Sequence, residues 1–435
     1  MCLAADGDLS GTSHRYCNLL GIPVLCTKDS CAMAHILSHS DIYQKPSKTR
    51  RILARIFGEG LVVVVVEGDD HECQRRIMNP AFGATQIRSL TSVFTDKALM
   101  LRDRWSSKLS TDPKGTRVDV LKWLNIATLD VIGQAAGFNY QFDALDPASP
   151  FNELNEVFKN IFNVTQKPTA MDRQIEIAQK IMASVGAKLL ADAKVNTAAE
   201  KDNTQVDKGL LTLLVKANMA VQGGGGQRLS DVDVLAQVPT FLALFARGQL
   251  PSAQSRLRDE CLDIATDDRV VKEVMRVHAP VPGTGRAAMQ DNVIPLDEPW
   301  VDKRGVKHYS VNSQGDRVSV LIGCMNQSEQ IWGADAAAFR PERWEAAETL
   351  VPNGIPGVWG NQLKCLAGPR SCIGYRFALA EMKALLYTLV RAFDLDLAVP
   401  AKDIISKQWI VSRPIVTSER ESGNQMPLLV KAYRG

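Results

Sequence analysis

Apolar side chains recur at helical spacing along most of the chain, which predicts a mainly α-helical protein. Four stretches carry an apolar stripe of this kind, at residues 90–109, 118–135, 150–161 and 382–393. Strand-forming residues are concentrated between residues 281 and 322, where VSVLI at Val318–Ile322 predicts a strand. The glycine run at residues 222–227 predicts a flexible linker, because no Gly-Lys-Ser/Thr follows it to make a phosphate loop. The fold class is therefore mainly α with a small β portion.

Composition narrows the class of protein. The chain has 435 residues, of which 45 % are apolar and 23 % charged, as expected for a globular protein with a large core. Its net charge of +3 gives no basis for nucleic-acid binding. The nine cysteines form no Cys-x-x-Cys pair, which argues against a zinc ribbon or a disulfide framework. No secretory signal is evident, and the longest apolar run, Leu61–Val66, is too short to span a bilayer. We expect an intracellular protein with reduced thiols and no transmembrane segment.

The segment LAGPRSCIGYRFA, residues 366–378, is the strongest candidate for chemistry. It places Cys372 in a loop that leads into a helix, where the helix dipole favours the thiolate. Gly368 and Gly374 leave room for a flat group, and Arg370 can bind a carboxylate through two hydrogen bonds. These features suit a haem with a thiolate ligand. On spacing alone, a structural cysteine beside a helix cap is an equally good interpretation.

Two further segments carry charged residues with a fixed spacing. Glu273 and Arg276 stand three residues apart in KEVMR, a common pair on any helix. The segment FRPERW, residues 339–344, offers Arg343 as a second arginine for Glu273. Together they predict a buried Arg–Glu–Arg triad, which serves as a structural tie because breaking a buried ion pair is costly.

The order of these three segments resembles that of the cytochrome P450 family, the haem-thiolate monooxygenases. The resemblance runs from about Ala34 to the end. The segments ATLDVIG, NPAF and LAQVPTFL are similar to those of fungal members. It implies the cytochrome P450 fold as a single haem domain over residues 34–435, after a poorly defined segment at residues 1–33. It also implies haem b (iron protoporphyrin IX) as the cofactor, bound to iron through the Cys372 thiolate.

The resemblance assigns roles to further residues. It implies that the haem propionates are bound by Arg370, by Arg286, and by the i,i+4 pair His71 and Arg75. Gly368 and Gly374 then belong to the haem-binding loop, and Glu273, Arg276 and Arg343 form a structural triad. Three cations of the proximal side are candidates for an exposed basic face that attracts an acidic electron donor: Arg75, Arg76 and Lys364.

The chain also departs from the family pattern. Cys365 stands where the family has phenylalanine, and Leu366 stands where glycine is frequent. The family's acid–threonine pair on the distal helix is absent between LAQVPTFL and Pro251, so no catalytic residue is identified. We therefore expect a chain that lacks the N-terminal anchor and part of the distal, oxygen-activating helix, with weak folding, poor haem retention or uncoupled oxygen chemistry.

The function implied is insertion of one oxygen atom from O2 into a lipophilic organic substrate. Electrons would come from NADPH through NADPH–cytochrome P450 reductase. The family implies the endoplasmic reticulum membrane, although without the anchor only peripheral membrane contact is expected, and we expect a monomer. Two alternatives stay open: a catalytically impaired haem-binding relative, favoured by the missing acid–threonine pair, and a haem-free helical scaffold protein.

Overall fold

The computed structural model describes residues 12–17, 23–57, 67–109, 114–135, 145–146, single positions between 173 and 195, 268–301, 304–313, 315, 317–344, 355–408 and 412–433. The chain divides into two compact units. Unit 1 comprises residues 1–49, 267–372 and 408–412, and unit 2 comprises residues 50–266, 373–407 and 413–435. Each unit is described by itself.

The helices in the described part of the chain are α1 (Ser30–Ser38), α2 (Ser47–Phe57), α3 (Gly68–Met78), α4 (Ala84–Ser89), α5 (Thr91–Ser106), α6 (Val120–Ala135), α7 (Arg269–Val277), α8 (Ile322–Asn326), α9 (Glu329–Trp332) and α10 (Tyr375–Ala392). None of the helices that the structure describes is long and apolar enough to cross a membrane. Short 3₁₀ turns lie at residues 79–82, 341–344, 363–365, 368–370, 401–403 and 417–422.

The strands are short. They are β1 (Ser13–Cys17), β2 (Pro23–Thr27), β3 (Tyr43–Gln44), β4 (Thr116–Asp119), β5 (Thr284–Ala288), β6 (Asn292–Val301), β7 (Lys307–Ser313), β8 (Arg317–Val320), β9 (Phe393–Leu397), β10 (Ile404–Gln408), β11 (Ser412–Val416) and β12 (Pro427–Ala432).

Unit 1 is built on a five-stranded sheet of order β1-β2-β8-β5-β3. Strands β2 and β8 pair in parallel, with Leu25 opposite Val318, whereas the other pairs are antiparallel. Helix α1 begins after Asp29, whose side chain accepts a hydrogen bond from the Ala32 N–H at 3.0 Å and so caps the helix. The buried face of α1, including Met33 and Ile36, packs with the sheet in one apolar core.

Unit 2 is helical, with a three-stranded sheet of order β4-β12-β9 and the separate pair β10-β11. Its core joins α5, α6 and α10. The rings of Phe94 and Phe377 meet edge to face with centroids 4.9 Å apart, and Trp105 packs on Phe393 at 5.6 Å. These aromatic contacts fix α5 against α10, the helix that follows Cys372 in the chain.

The predicted helical class and several elements agree with the structure. The stripe at residues 118–135 corresponds to β4 followed by α6, and the last helix is α10. The stripe at residues 90–109 is α5, and the strand expected at Val318–Ile322 is β8. Strands β1 and β2 lie within residues 1–33, a segment we expected to be poorly defined. The predicted helix at residues 150–161, the glycine linker and the distal-helix segment lie outside the described residues.

Candidate functional site

The predicted triad is assembled in unit 1, where α7 and the 3₁₀ turn at residues 341–344 meet. Glu273 and Arg276 have no exposed side-chain surface, and Arg343 is 9 % exposed. Arg276 donates to both carboxylate oxygens of Glu273, from Nη2 at 2.7 Å and from Nε at 2.9 Å. Arg343 Nε donates to Glu273 Oε1 at 3.0 Å. The i,i+3 spacing on α7 therefore produces a bidentate buried pair, which the second arginine completes.

Further donors surround the same carboxylate. The backbone N–H of Arg340 donates to Oε1 of Glu273 at 2.8 Å, and Trp344 Nε1 donates to Oε2 at 3.0 Å. Burial alone raises the pKa of Glu273, but the hydrogen bonds from Arg276 and from the Arg340 N–H outweigh it and hold the pKa below its usual value. The carboxylate is therefore ionised, and its oxygens accept five hydrogen bonds in all.

Arg276 also ties α7 to segments later in the chain. Its Nη1 donates to the carbonyls of Asn326 at 2.8 Å and Ala336 at 2.5 Å, and its Nη2 donates to Ala338 at 3.0 Å. The guanidinium group lies over the Trp332 ring, 5.3 Å from its centroid. One buried side chain thus ties three backbone carbonyls to α7.

The loop that carries Cys372 has a defined backbone. The Cys372 N–H donates to the Cys365 carbonyl at 2.8 Å, and the Ser371 N–H donates to the Gly368 carbonyl at 3.1 Å. Leu366 is held at its two ends, because its N–H donates to Leu363 at 2.8 Å and its carbonyl accepts from Val358 at 3.3 Å. These bonds fold the loop back on itself and leave Cys372 exposed.

Two residues of this loop have positive φ angles. Leu366 has φ 55° and ψ −166°, a region that glycine enters freely and other residues rarely occupy. This conformation gives a physical reason for the glycine that is frequent here in the family. Gly368 has φ 66°, and a Cβ at this position would overlap the backbone carbonyl oxygen of Leu37 in α1. The structure therefore uses the missing side chain of Gly368 for loop packing within unit 1.

Cys365 and Lys364 lie beside Cys372 in the loop. Burial, and then the negative charge of Cys372, raise the pKa of the Cys365 thiol to about 12. Lys364 is 8 % exposed, with Nζ 3.9 Å from the centroid of the Trp359 ring. Burial is the main cause that holds the pKa of Lys364 well below its usual value. The expectation that Lys364 contributes to an exposed basic face is therefore wrong, because its ammonium group is turned into the protein.

The other haem-binding candidates of unit 1 are Arg286 and Arg370. Arg286 lies on β5 and is 2 % exposed. Its Nη1 donates to Thr284 Oγ1 at 3.0 Å and to the Gly285 carbonyl at 2.9 Å. Arg370 ends the 3₁₀ turn at residues 368–370 and is half-buried. Unit 1 therefore contains Cys372 and two of the guanidinium groups that the sequence assigns to the haem.

The remaining candidates belong to unit 2. His71 and Arg75 are one turn apart on α3, as their spacing predicts, with His71 5 % exposed and Arg75 half-buried. Arg75 Nε donates to Asn79 Oδ1 at 2.9 Å, which orients its guanidinium group along the helix. Gly374 is buried and stands at the N-cap of α10, where no side chain caps the helix. The neighbouring Arg76 is exposed, and so accessible to solvent.

Sequence reasoning missed Glu381, which lies on α10 of unit 2. Its side chain is 6 % exposed, and burial raises its pKa to about 8, opposed by a hydrogen bond from Thr128 of α6. The signal was available, since Glu381 stands one residue before the stripe at residues 382–393 and four residues before Leu385, on the same side of the helix, where a carboxylate is rare unless paired.

The donor set of the described residues suits a haem. Thiolate sulfur is a ligand for haem iron, and guanidinium groups bind carboxylates such as the haem propionates. No cluster of three or more His, Cys, Asp or Glu side chains able to hold a metal ion occurs among the described residues. His35 and His39 face each other with ring centroids 4.1 Å apart, but His35 Nε2 is engaged with Asn292 Oδ1 at 2.7 Å. The chemistry therefore favours a single-thiolate haem site over a side-chain metal cluster.

Comparison with known proteins identifies the family. The family model for "Cytochrome P450" matches residues 16–243 and 263–418. The fungal protein "Cytochrome P450 monooxygenase 205" of Postia placenta is 44 % identical, with 97 % of this chain and 86 % of the relative covered. "Cytochrome P450 monooxygenase 128" of the same species is 41 % identical over 95 % of this chain and 84 % of its own. "Cytochrome P450 monooxygenase claP" of Ampulloclitocybe clavipes is 32 % identical, with 97 % and 86 % covered.

The fold agrees with this assignment. A crystal structure of the cytochrome P450DA heme domain matches 97 % of this chain and 90 % of its own with a TM-score of 0.72, at 19 % identity. The chain therefore has the cytochrome P450 fold and belongs to the cytochrome P450 family. Members of this family are haem-thiolate monooxygenases, and their cofactor is haem b bound through a cysteine thiolate.

Proposed function

We propose that this chain is a fungal monooxygenase that inserts one oxygen atom from O2 into a lipophilic organic substrate, with Cys372 as the thiolate ligand of its haem. The observation that carries the proposal is the loop geometry. Its hydrogen bonds hold the backbone of Cys372, and the thiol is exposed three residues before α10 begins. When bound through a thiolate, haem supplies the activation of O2.

The roles of the other residues follow from their charge and position. In this proposal, Arg286 and Arg370 of unit 1 and His71 and Arg75 of unit 2 bind the two propionates. Burying a dianion is expensive unless cations compensate it, so a set of three guanidinium groups and one imidazole is chemically apt. Gly368 and Gly374 shape the loop around Cys372, and the Glu273 triad keeps that part of unit 1 rigid.

A second candidate is a haem-binding relative with impaired catalysis, and a specific observation favours it. The family model omits residues 244–262, where the acid–threonine pair of the distal helix is absent. In addition, the alignment with the first fungal relative extends over 474 positions, more than the 435 residues of this chain. The relative therefore has residues without a counterpart here, as expected if part of the distal helix is missing.

The first experiment tests whether Cys372 is the ligand of the haem iron. The full chain is expressed with haem supplied, reduced, and exposed to carbon monoxide. We expect the red-shifted Soret band of a thiolate-ligated haem, and its loss in Cys372→Ser. Cys31→Ser is a matched control, because Cys31 is a partly buried thiol on α1. Retention of the thiolate-type band in Cys372→Ser would overturn the assignment, and a folded wild-type chain without pigment would favour a haem-free scaffold.

The second experiment separates a working monooxygenase from an impaired one. NADPH oxidation, hydrogen peroxide release and naphthol formation are measured together, with naphthalene as a lipophilic probe and a fungal NADPH–cytochrome P450 reductase. A working enzyme converts much of the NADPH into naphthol. An impaired relative would release hydrogen peroxide instead, because it has no acid–threonine pair between LAQVPTFL and Pro251 to control the supply of protons. The probe need not be the natural substrate, which the sequence and fold leave unassigned.

The electron donor and the location are part of the proposal. The family implies a flavoprotein reductase, and the exposed Arg76 with the half-buried Arg75 offers positive charge to an acidic partner. Such steering weakens as salt rises, so the rate of reduction should fall with ionic strength. The family also favours the endoplasmic reticulum, and we propose a monomeric state.

A further inference from the structure

The haem-ligand loop, residues 363–374, contains a second thiol, Cys365, in addition to Cys372. Cys365 and Cys372 belong to the same unit, neither is in a disulfide, and they are separated by six residues that fold back on themselves. The turn is closed by the bond from the Ser371 N–H to the Gly368 carbonyl, 3.1 Å, and by that from the Cys372 N–H to the Cys365 carbonyl, 2.8 Å. The loop therefore brings the two cysteines side by side.

The spacing of the two backbones suits a covalent bridge. The Cys372 N–H donates to the Cys365 carbonyl oxygen at 2.8 Å, and adding the N–Cα and Cα···O separations on either side limits the two Cα atoms to at most about 6.7 Å. Disulfides join cysteines whose Cα atoms are about 4.4–6.8 Å apart. Cys372 is exposed and accessible to a small oxidant, and Cys365 is half-buried behind it.

We propose that Cys365 and Cys372 form a disulfide when hydrogen peroxide reaches the loop before haem does, so that the loop is a reversible thiol switch. The Cys372 thiol gives up its proton as its sulfur attacks one peroxide oxygen; the O–O bond breaks, and the departing hydroxide takes that proton to leave as water, so that Cys372 becomes a sulfenic acid. The Cys365 sulfur then attacks the Cys372 sulfur, the S–O bond breaks, and the Cys365 proton leaves with the hydroxyl as water. Two thiols and one hydrogen peroxide thus give one disulfide and two waters.

The bridge has two consequences. It occupies the Cys372 sulfur, so the oxidised chain cannot offer a thiolate to haem iron; this consequence rests on the proposed function. It also protects the sulfur from irreversible damage, because a sulfenic acid with no second thiol nearby proceeds to sulfinic acid, which thiol reagents do not reverse. A phenylalanine at position 365, as in the family pattern, could not provide this protection.

The bond is tested by peptide mapping, which does not depend on haem or activity. The full chain, prepared without haem, is treated with hydrogen peroxide, its remaining thiols are alkylated, and it is digested with trypsin. Cleavage after Lys364, Arg370 and Arg376 places the two cysteines on separate short peptides. We expect these peptides to be recovered linked, with the loss of two hydrogen atoms, and to separate on reduction. If the peroxide-treated chain yields no linked pair of cysteine peptides, the proposal is overturned.

The effect of the disulfide on haem binding is tested by measuring how much haem uptake returns after reduction. After peroxide, wild type should lose haem uptake and regain it with dithiothreitol, whereas Cys365→Ser and Cys365→Phe should lose it for good. Two variants are used because either one could disturb the loop, and Cys31→Ser should behave as wild type. Equal recovery in all chains overturns the protective role. If no chain takes up haem under any condition, the proposed function fails, while the linked peptide still decides the disulfide.

Discussion

Two buried glutamates, one in each unit, have pKa values shifted in opposite directions by their surroundings. Burial raises the pKa of both carboxyl groups. At Glu273, the hydrogen bonds from Arg276 and from the Arg340 N–H outweigh burial, and the pKa falls below its usual value. At Glu381, the hydrogen bond from Thr128 opposes burial without overcoming it, and the pKa rises to about 8. The first carboxyl group is ionised at neutral pH and the second is protonated.

The difference shows that a guanidinium partner, and not burial itself, decides whether a carboxylate keeps its charge inside this protein. It also gives the two residues opposite effects on stability as the pH changes. The contribution of Glu273 is present above the ordinary pKa of 4.5 and is lost as the pH falls through its lower folded pKa. The contribution of Glu381 is complete below 4.5 and is lost as the pH rises towards about 8.

The largest effect is expected from Glu273→Gln. The amide keeps the shape of the side chain but leaves the guanidinium group of Arg276, which has no exposed surface, without its counter-charge. Removing one partner of a buried pair costs about 3–5 kcal/mol of unfolding free energy. Urea denaturation at neutral pH measures this loss, and haem retention should fall with it.

The surface offers a matched control for that variant. Arg117 Nη2 donates to both carboxylate oxygens of Glu419 at 2.6 Å, but the two side chains are 48 % and 31 % exposed. Glu419→Gln should therefore leave stability nearly unchanged, because solvent screens the pair. If Glu273→Gln were as mild as Glu419→Gln, the triad would contribute little, and the contrast with Glu381 would lose its basis.

The next effect is a change in pH dependence at Glu381. The folded protein holds the Glu381 proton more tightly than the unfolded chain, so wild type should lose stability as the pH rises from 4.5 to about 8. The unfolding equilibrium then changes by up to about tenfold per pH unit in this window. Glu381→Gln cannot ionise, so its stability curve should lack this slope. Denaturation midpoints measured across the window provide the test.

Glu72→Gln is the control for the Glu381 experiment. Glu72 is also on a helix, α3, but its side chain is exposed, so removing its charge should leave the wild-type slope in place. Parallel curves for wild type and Glu381→Gln would mean that Glu381 is ionised in the folded protein. In that case the two glutamates would not differ in their charge at neutral pH.

Much of the haem-ligand loop and of the triad could be predicted, because their chemistry is local in the sequence. The i,i+3 spacing of Glu273 and Arg276 on one helix and the short FRPERW segment were enough to bring Arg343 to the same carboxylate. The thiol in a glycine-rich loop before a helix was likewise visible as a pattern. Such features depend on a few neighbouring residues and on backbone geometry.

Features that depend on packing could not be predicted in the same way. The charge of Lys364 suggested an exposed side chain, yet Trp359 and the surrounding fold bury it. The protonation of Glu381 depends on its burial in the packed core, which outweighs the opposing hydrogen bond from Thr128 of α6. The role of Gly368 depends on the Leu37 carbonyl of another element. Each of these outcomes is set by packing against residues outside the motif itself, and for Gly368 and Glu381 those residues are distant in sequence.

The smallest expected effect on stability comes from backbone strain at Leu366 and not from the charge of a side chain. Its φ of 55° costs about 1–3 kcal/mol for a residue with a side chain. In Leu366→Gly, relief of this strain offsets the lost packing, whereas Leu366→Ala loses packing and keeps the strain. The glycine variant should therefore be more stable than the alanine variant by about 1 kcal/mol.

Leu321 is the control position, because it is a half-buried leucine with φ −90°. There the alanine variant should be the more stable of the two, since glycine is ordinarily the less stable residue. If alanine is the more stable variant at position 366 as well, the positive φ of Leu366 carries no measurable strain and the contrast between the two positions fails.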